Sequence, residues 1–222
     1  QEVDPDKFYM AIEKFLHLYL MDAPPQQEIQ SLKEFISNLI KNDLIPNLGE
    51  EHPITIQYEN DLAHILFLQG NYKEAILIKE KLLESSKKIY GTVSSSNLAD
   101  IGTYYLYNND ISNSCIYFER CLQQTQQQIF SDFRWLTANE RALYWARYKN
   151  MIENIIPMSY KAQGYARFLP LSYNALLLSK GMLLNSEIEL HKLLQSKGNK
   201  NIREKLDKWR SLNMQIRSEE HT

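Results

Sequence analysis

The residues able to do chemistry in this chain are few and scattered. Cys115 and Cys121 stand six positions apart on one predicted helix. That offset turns them about 240° from each other around the helix axis, so they neither bridge nor share a metal ion. The histidines are His17, His52, His64, His191 and His221, with no two at metal-binding spacing on one predicted helix. A Cys–His nucleophile pair needs an open, polar position for its thiol, whereas both cysteines occupy core-like positions of a helix. The run GTVSSSN at 91–97 looks like a phosphate loop but lacks a following Lys and a preceding strand, so it reads as a loop that starts a helix. Glu50-Glu51 and Glu219-Glu220 lie in loops or a tail, without an apolar pocket to raise a carboxyl pKa. These residues give no catalytic, cofactor or metal site, and the chain is expected not to be an enzyme.

Composition bounds the class of protein and excludes some partners. Charged residues make up 23% of the 222 and hydrophobic ones 44%, an ordinary globular balance. A net charge of −2 predicts no general attraction to nucleic acid or to an anionic membrane. The stretch Lys192 to Arg210 has seven Lys or Arg against Glu204 and Asp207, but its only interleaved aromatic is Trp209, so a solvated helix face is expected there. The apolar run Ala175 to Leu184 is interrupted by Ser179 and Lys180, too short and polar to span a bilayer. Lys180-Gly181 is expected to let a neighbouring helix approach while Lys180 reaches outward. The chain starts at Gln1 rather than Met, so removal of an upstream segment is expected, and both cytoplasm and export after signal-peptide removal stay open.

The elements that must position these residues are helices. Only 7 Gly and 7 Pro occur, most where helices would start or stop. Asp4-Pro5 starts a helix through Phe8, Ile12, Phe15, Leu16 and Tyr19, and Pro24-Pro25 ends it. A second runs through Ile29, Leu32, Phe35, Ile36, Leu39 and Ile40, with Pro46 expected to close it. From Tyr58 to Tyr90 two amphipathic stretches are joined by Gln69-Gly70-Asn71, and the pattern returns over Ile101 to Tyr117. The turn recurs 39 residues on as Asn108-Asn109-Asp110, and Leu48-Gly49 recurs 42 residues on as Tyr90-Gly91. Pro53 and Ser94 to Ser96 start the helices that follow. Asn71 and Asp110 fit as N-caps, and Glu74 would complete a capping box with Asn71. Ala63 pairs with Gly102, and Ala75 with Ser114, small residues where helices approach closely. A helical hairpin cannot bury both its apolar stripes alone, so it stacks on copies of itself.

Beyond the repeats, QQTQQQ at 123–128 is expected as a solvated helix end, with a break over Phe130 to Leu136. Thr137 and Glu140 form a capping box for a helix carrying Leu143, Tyr144, Trp145, Tyr148, Ile152 and Ile156. Pro170 is expected to start another with Tyr173 and Leu176 to Leu178, then Met182 to Leu184, and Ser186 with Glu189 forms a further capping box. The stripe Ile202, Leu206, Trp209 and Ile216 at roughly heptad spacing suits one partner surface.

The stretch Leu62-Ala63 through Gln69-Gly70-Asn71-Tyr72-Lys73-Glu74-Ala75 resembles the tetratricopeptide repeat (TPR) in a long-loop form of about 42 residues. Two units over 54–125 match best, the second departing at Asn109 and Ser114. The later segments Tyr144-Trp145, Tyr173 to Leu177, Ser179-Lys180-Gly181 and Leu183-Leu184-Asn185 resemble the helical connector of bacterial proteins that join such repeats to a caspase-like CHAT peptidase. In that family the peptidase follows C-terminally and supplies a His–Cys dyad, and no such domain fits after Ser211. The resemblance therefore implies an all-α TPR-like superhelix with repeats over 1–129, the first hairpin degenerate, and connector helices over 130–222. It also implies a regulatory or sensing part whose partners are a protein or peptide ligand and a peptidase domain in cis.

Repeat positions mapped onto this chain place Gln57, Asn60, His64 and Phe67, then Ser96, Thr103 and Tyr107, along a concave groove. Polar groups there would hold an extended backbone, and Phe67 or Tyr107 would seat a side chain. His64 is either a groove contact or plain surface. The alternative is a structural module, a homodimer contact or spacer with no external ligand, which light scattering separates from a monomeric binder.

Overall fold

The computed structural model describes residues 7, 10, 11, 14, 25–133, 135–162, 165–181, 200, 201, 204, 205 and 208. Among them every regular element is helical and there is no strand. The elements are α1 (Gln26–Leu39), a π turn (Ile40–Leu44), α2 (Ile45–Leu48), α3 (Pro53–Leu68), α4 (Tyr72–Tyr90), α5 (Ser95–Tyr107), α6 (Ile111–Phe133), α7 (Ala138–Glu153), α8 (Ile155–Lys161) and α9 (168–181). The proposed stripes Phe8 to Tyr19 and Ile202 to Ile216, the Ser186 capping box, the basic segment, and His17, His191 and His221 fall wholly or mainly outside the described residues.

The chain forms two compact units, one of residues 1–122 with 158–171, the other of 123–157 with 172–222. In the first, α3–α4 and α5–α6 are successive hairpins with the same turn. Gly70 N–H donates to Phe67 O at 2.9 Å and Asn71 N–H to Leu66 O at 2.9 Å. Asn109 and Asp110 repeat both bonds, to Leu106 O at 3.1 Å and Tyr105 O at 2.9 Å. This double bond needs a left-handed residue just past the helix. Gly70 supplies it at φ 78° and Asn109 at φ 64°, which is why Asn can stand where the first turn has Gly. The longer linkers likewise turn on Gly49 at φ 90° and Gly91 at φ 68°.

The small residues lie where expected. A Cβ on Gly102 would sit 2.9 Å from Phe118 Cδ1, and Ser114 Oγ donates to Gly102 O at 2.7 Å. Ala63 and Ala75 are fully buried together with Leu66, Ile76 and Tyr104. A second core gathers Ile29, Leu32, Ile36, Leu39, Ile40 and Leu44 against Tyr58 and Ile65 of α3. Cys115 and Cys121 are free and fully buried, as small core residues.

Several details differ from expectation. Pro46 does not close its helix, which passes through the π turn and continues to Leu48. Proline cannot donate to the carbonyl four residues back, and its ring crowds that carbonyl. The wider turn just before it, where Ile45 N–H reaches Ile40 O, accommodates both demands. Asn71 makes no side-chain cap, so no capping box forms with Glu74. Its backbone, at φ −82° and ψ 57°, is not in the extended conformation that aims a cap side chain. Asp110 does cap, its Oδ1 accepting from Asn113 N–H at 3.1 Å. The glutamine run lies within α6 rather than at its end, because Ile129 and Phe133 carry the apolar stripe a further turn.

In the second unit Thr137 and Glu140 form the expected capping box. Trp145 and Ile152 are buried but Leu143 is 73% exposed, on the opposite face of α7. Asp132 accepts from the Tyr144 hydroxyl, and Glu153 Oε1 accepts from Ser179 Oγ at 2.5 Å. The α9 helix starts at residue 168, two before Pro170. It buries Ala175 and Ser179 and leaves Tyr173, Leu176 and Leu177 exposed, so its leucine run is not all core. Lys180 extends outward, 3.9 Å from Glu153.

Candidate functional site

The residues expected to line the groove lie on α3 and α5, the first helices of the two hairpins in the first unit. On α3, Gln57, Asn60, His64 and Phe67 recur at intervals of three or four, which places them on one helix face. Asp61 shares that face. On α5 the same spacing aligns Ser96, Asp100, Thr103 and Tyr107. The structure brings the C-terminal ends of these faces together through aromatic rings. Phe67 stacks on Tyr104 at 4.5 Å between centroids, meets Tyr107 edge to face at 5.0 Å, and lies 5.4 Å from Tyr72. Tyr72 and Tyr107 are 5.8 Å apart, and His64 stacks on Phe67 at 6.4 Å. Such offset and edge-to-face pairs match the negative face of one ring to the positive rim of another.

Beneath the polar half of the face lies Lys79 of α4, only 1% exposed. Its Nζ donates to Asn60 Oδ1 and to Asp100 Oδ2, the latter at 2.7 Å, and sits 5.9 Å from the centre of the Tyr104 ring. A buried ammonium requires such compensation, because leaving water costs it several kcal/mol. Two partners from different helices therefore tie α3, α4 and α5 at one point. Asp61 accepts from Gln57 Nε2 at 3.0 Å. Burial raises its pKa from the ordinary 3.8 to about 6, against the opposing pull of the Gln57 bond and the Lys79 charge.

His64 is not plain surface. Its Nδ1 lies 3.4 Å from the Tyr104 hydroxyl, and burial lowers its pKa, so the ring is neutral at pH 7. The Tyr104 hydroxyl is pushed up by burial and then by the charge of Asp100, and remains a phenol. Thr103 Oγ1 donates back to Ala99 O at 2.9 Å and lies 3.9 Å from Met158 Sδ. Gln57 and Ser96 are exposed at the starts of their helices and do not join the ring cluster.

Polar groups and ring faces lie exposed or half-buried along two helices, while Cys115 is fully buried, with burial raising its thiol pKa, the opposite of an activated nucleophile. Among the described residues no group of three or more His, Cys, Asp or Glu could hold a metal ion, and no helix is long and apolar enough to cross a membrane.

Tyr72, Tyr104, Asp61, Lys79 and Asp100 contact the expected residues without having been expected among them. One signal for Lys79 was present: it interrupts the stripe Ala75, Ile76, Leu82 and Leu83 at a position whose spacing demands an apolar residue. No comparable signal marked Lys161, whose Nζ lies 3.9 Å above the centre of the Tyr107 ring.

No protein-family model matches the chain, and no curated protein matches it. Among solved structures it is similar to a kinesin-light-chain candidate from Podosopora anserina with nearly identical TPR-like repeats. That similarity has 13% identity and a TM-score of 0.42, and covers 88% of this chain and 96% of the other. A single-substitution variant of the same protein matches at 13% identity and TM-score 0.42, over 92% of this chain and 96% of its own.

Proposed function

We propose that this chain is a protein- or peptide-binding scaffold whose groove is lined by Gln57, Asn60, His64, Phe67, Ser96, Thr103 and Tyr107. One observation carries the reading: Phe67 of α3 meets Tyr107 of α5 at 5.0 Å, so the two helix faces adjoin. Extended peptides bind such faces through main-chain hydrogen bonds to polar side chains, with aromatic residues seating the anchors. No catalytic step is assigned to these residues.

The finer reading extends the resemblance of the segments around Tyr144-Trp145 and Ser179-Lys180-Gly181. Residues 1–129 serve as the sensing repeats and 130–222 as the connector to a CHAT-type peptidase domain, with ligand capture regulating that peptidase in cis.

The lining is testable with peptides selected from a random display library on the intact chain. Gln57→Ala, Ser96→Ala and Tyr107→Leu are combined in one variant, because all three side chains are exposed and their loss spares the core. Calorimetric titration is expected to show at least a tenfold weaker Kd, about 1.4 kcal/mol. An unchanged Kd in a variant with an unchanged thermal midpoint would refute the groove assignment.

A further inference from the structure

We propose that the ring cluster at the C-terminal end of the groove is a site for a cationic side chain, a lysine of an extended partner peptide, and that Lys161 of this chain occupies it in cis. The proposal rests on the peptide-binding reading above and names the chemistry of the ligand.

A cation already sits on the site. Lys161 Nζ lies 3.9 Å from the centre of the Tyr107 ring, well inside the roughly 6 Å over which the ring's negative face attracts an ammonium. The ring is braced by its neighbours: Phe67 and Tyr107 meet edge to face at 5.0 Å, and Tyr72 lies 5.8 Å away. Tyr107 remains 42% exposed, so its surface is open to a competitor. Lys161 is itself an exposed side chain at the last residue of α8, and among the described residues no carboxylate pairs with it within 4.0 Å.

The charge along the rest of the face has the matching sign. Asp100 stands on the Tyr107 face of α5, two helical turns earlier, with its side chain 47% exposed. Asp61 stands on the facing side of α3. Lys79, the cation between these elements, is buried and held by Asn60 and Asp100. Asp100 is paired with Lys79, so these three groups leave one net negative charge, that of Asp61, beside the ring faces. With Lys161 displaced, a basic peptide fits this surface better than an acidic one. Met158, beside Thr103, places the segment that carries Lys161 against the same helix, so the cis lysine competes at high local concentration.

The test uses the full chain and three short fluorescein-labelled peptides of equal length, alternating Ala with Lys, norleucine or Glu, read by fluorescence polarisation. The Lys peptide is expected to bind best. Lys161→Gln, which removes the competitor, is expected to tighten it about two- to fivefold, the worth of one exposed cation–ring contact. Adding Tyr107→Leu to that variant is expected to erase the gain, whereas Tyr107→Phe, which keeps the ring face, preserves it. Equal affinity for the Lys peptide in wild type and Lys161→Gln, or equal binding by the Leu and Phe variants, would overturn the cation site and leave only the general attraction of an acidic chain. Norleucine or Glu peptides bound as tightly as Lys, and lost with Gln57, Ser96 and Tyr107, would overturn the cation site while the groove stands. Binding of none of the three by wild type or Lys161→Gln would overturn both.

Discussion

At the scale of single residues, the faces of α3 and α5 are governed by how much charge can be buried between them. Asp61 has its pKa raised to about 6, mainly by burial, so folding favours its protonated form. A folded-state pKa above the unfolded one means the native state binds more protons between the two values, and stability falls as pH rises through that window. Asp61 thus costs stability when ionised. Asp61→Asn keeps an acceptor for Gln57 and removes the charge. It is expected to raise the thermal midpoint at pH 7, with the gain shrinking as pH falls through 6 and vanishing near pH 3.8 and below. A gain that is the same at pH 7 and pH 4 would show that burial of this carboxylate is not what limits stability. Histidine 64, neutral at pH 7, adds no positive charge to the face.

At the scale of helices, close approach decides which residues are small. Gly102 lies against Phe118, a fully buried ring that is itself packed edge to face on Phe168 at 6.0 Å. Retreat of the ring from Gly102 is opposed by this packing. Gly102→Ala is therefore expected to destabilise the fold by about 1–3 kcal/mol through overpacking, outweighing the helix propensity that alanine gains. Thermal melts of Gly102→Ala, alone and with Phe118→Leu, check this: the second change should recover part of the loss, and additive losses would argue against the clash. The pairing of Gly102 with Ala63 was legible from the repeat, because close approach at one hairpin predicts it at the next. The failure of Asn71 to cap was not legible, since capping depends on ψ as well as residue type.

At the scale of the molecule, the compact units do not follow chain order. Residues 158–171 belong with residues 1–122. Phe168 and Leu171 are buried there, and Arg167 forms a paired bond with Glu119, at 3.1 Å from Nε and 2.7 Å from Nη2. A fragment ending at residue 129 lacks these side chains and uncovers Phe118. It is expected to unfold at lower urea than the intact chain and to bind a hydrophobic dye, each lost fully buried side chain being worth about 1.5–3 kcal/mol. A fragment as stable as the full chain, with no dye binding, would show that 158–171 adds nothing to the first unit.

The sequence by itself determined the helices, their hairpin turns and the repeat. Those features depend on neighbours within a few positions: apolar residues at helical spacing, and a residue able to adopt positive φ at Gly70 and again at Asn109. Which residues share one face of α3 or of α5 was legible for the same reason, because spacing along one helix sets which side chains share a side. Tertiary structure alone decided how that face is charged and what lies on it. Lys79 meets Asn60 and Asp100 from 19 and 21 residues away, and Lys161 reaches Tyr107 from much farther along the chain. Local periodicity carries no information about such pairs. They exist because stacking the hairpins buries an ammonium that must find partners and brings a distant lysine over an exposed ring.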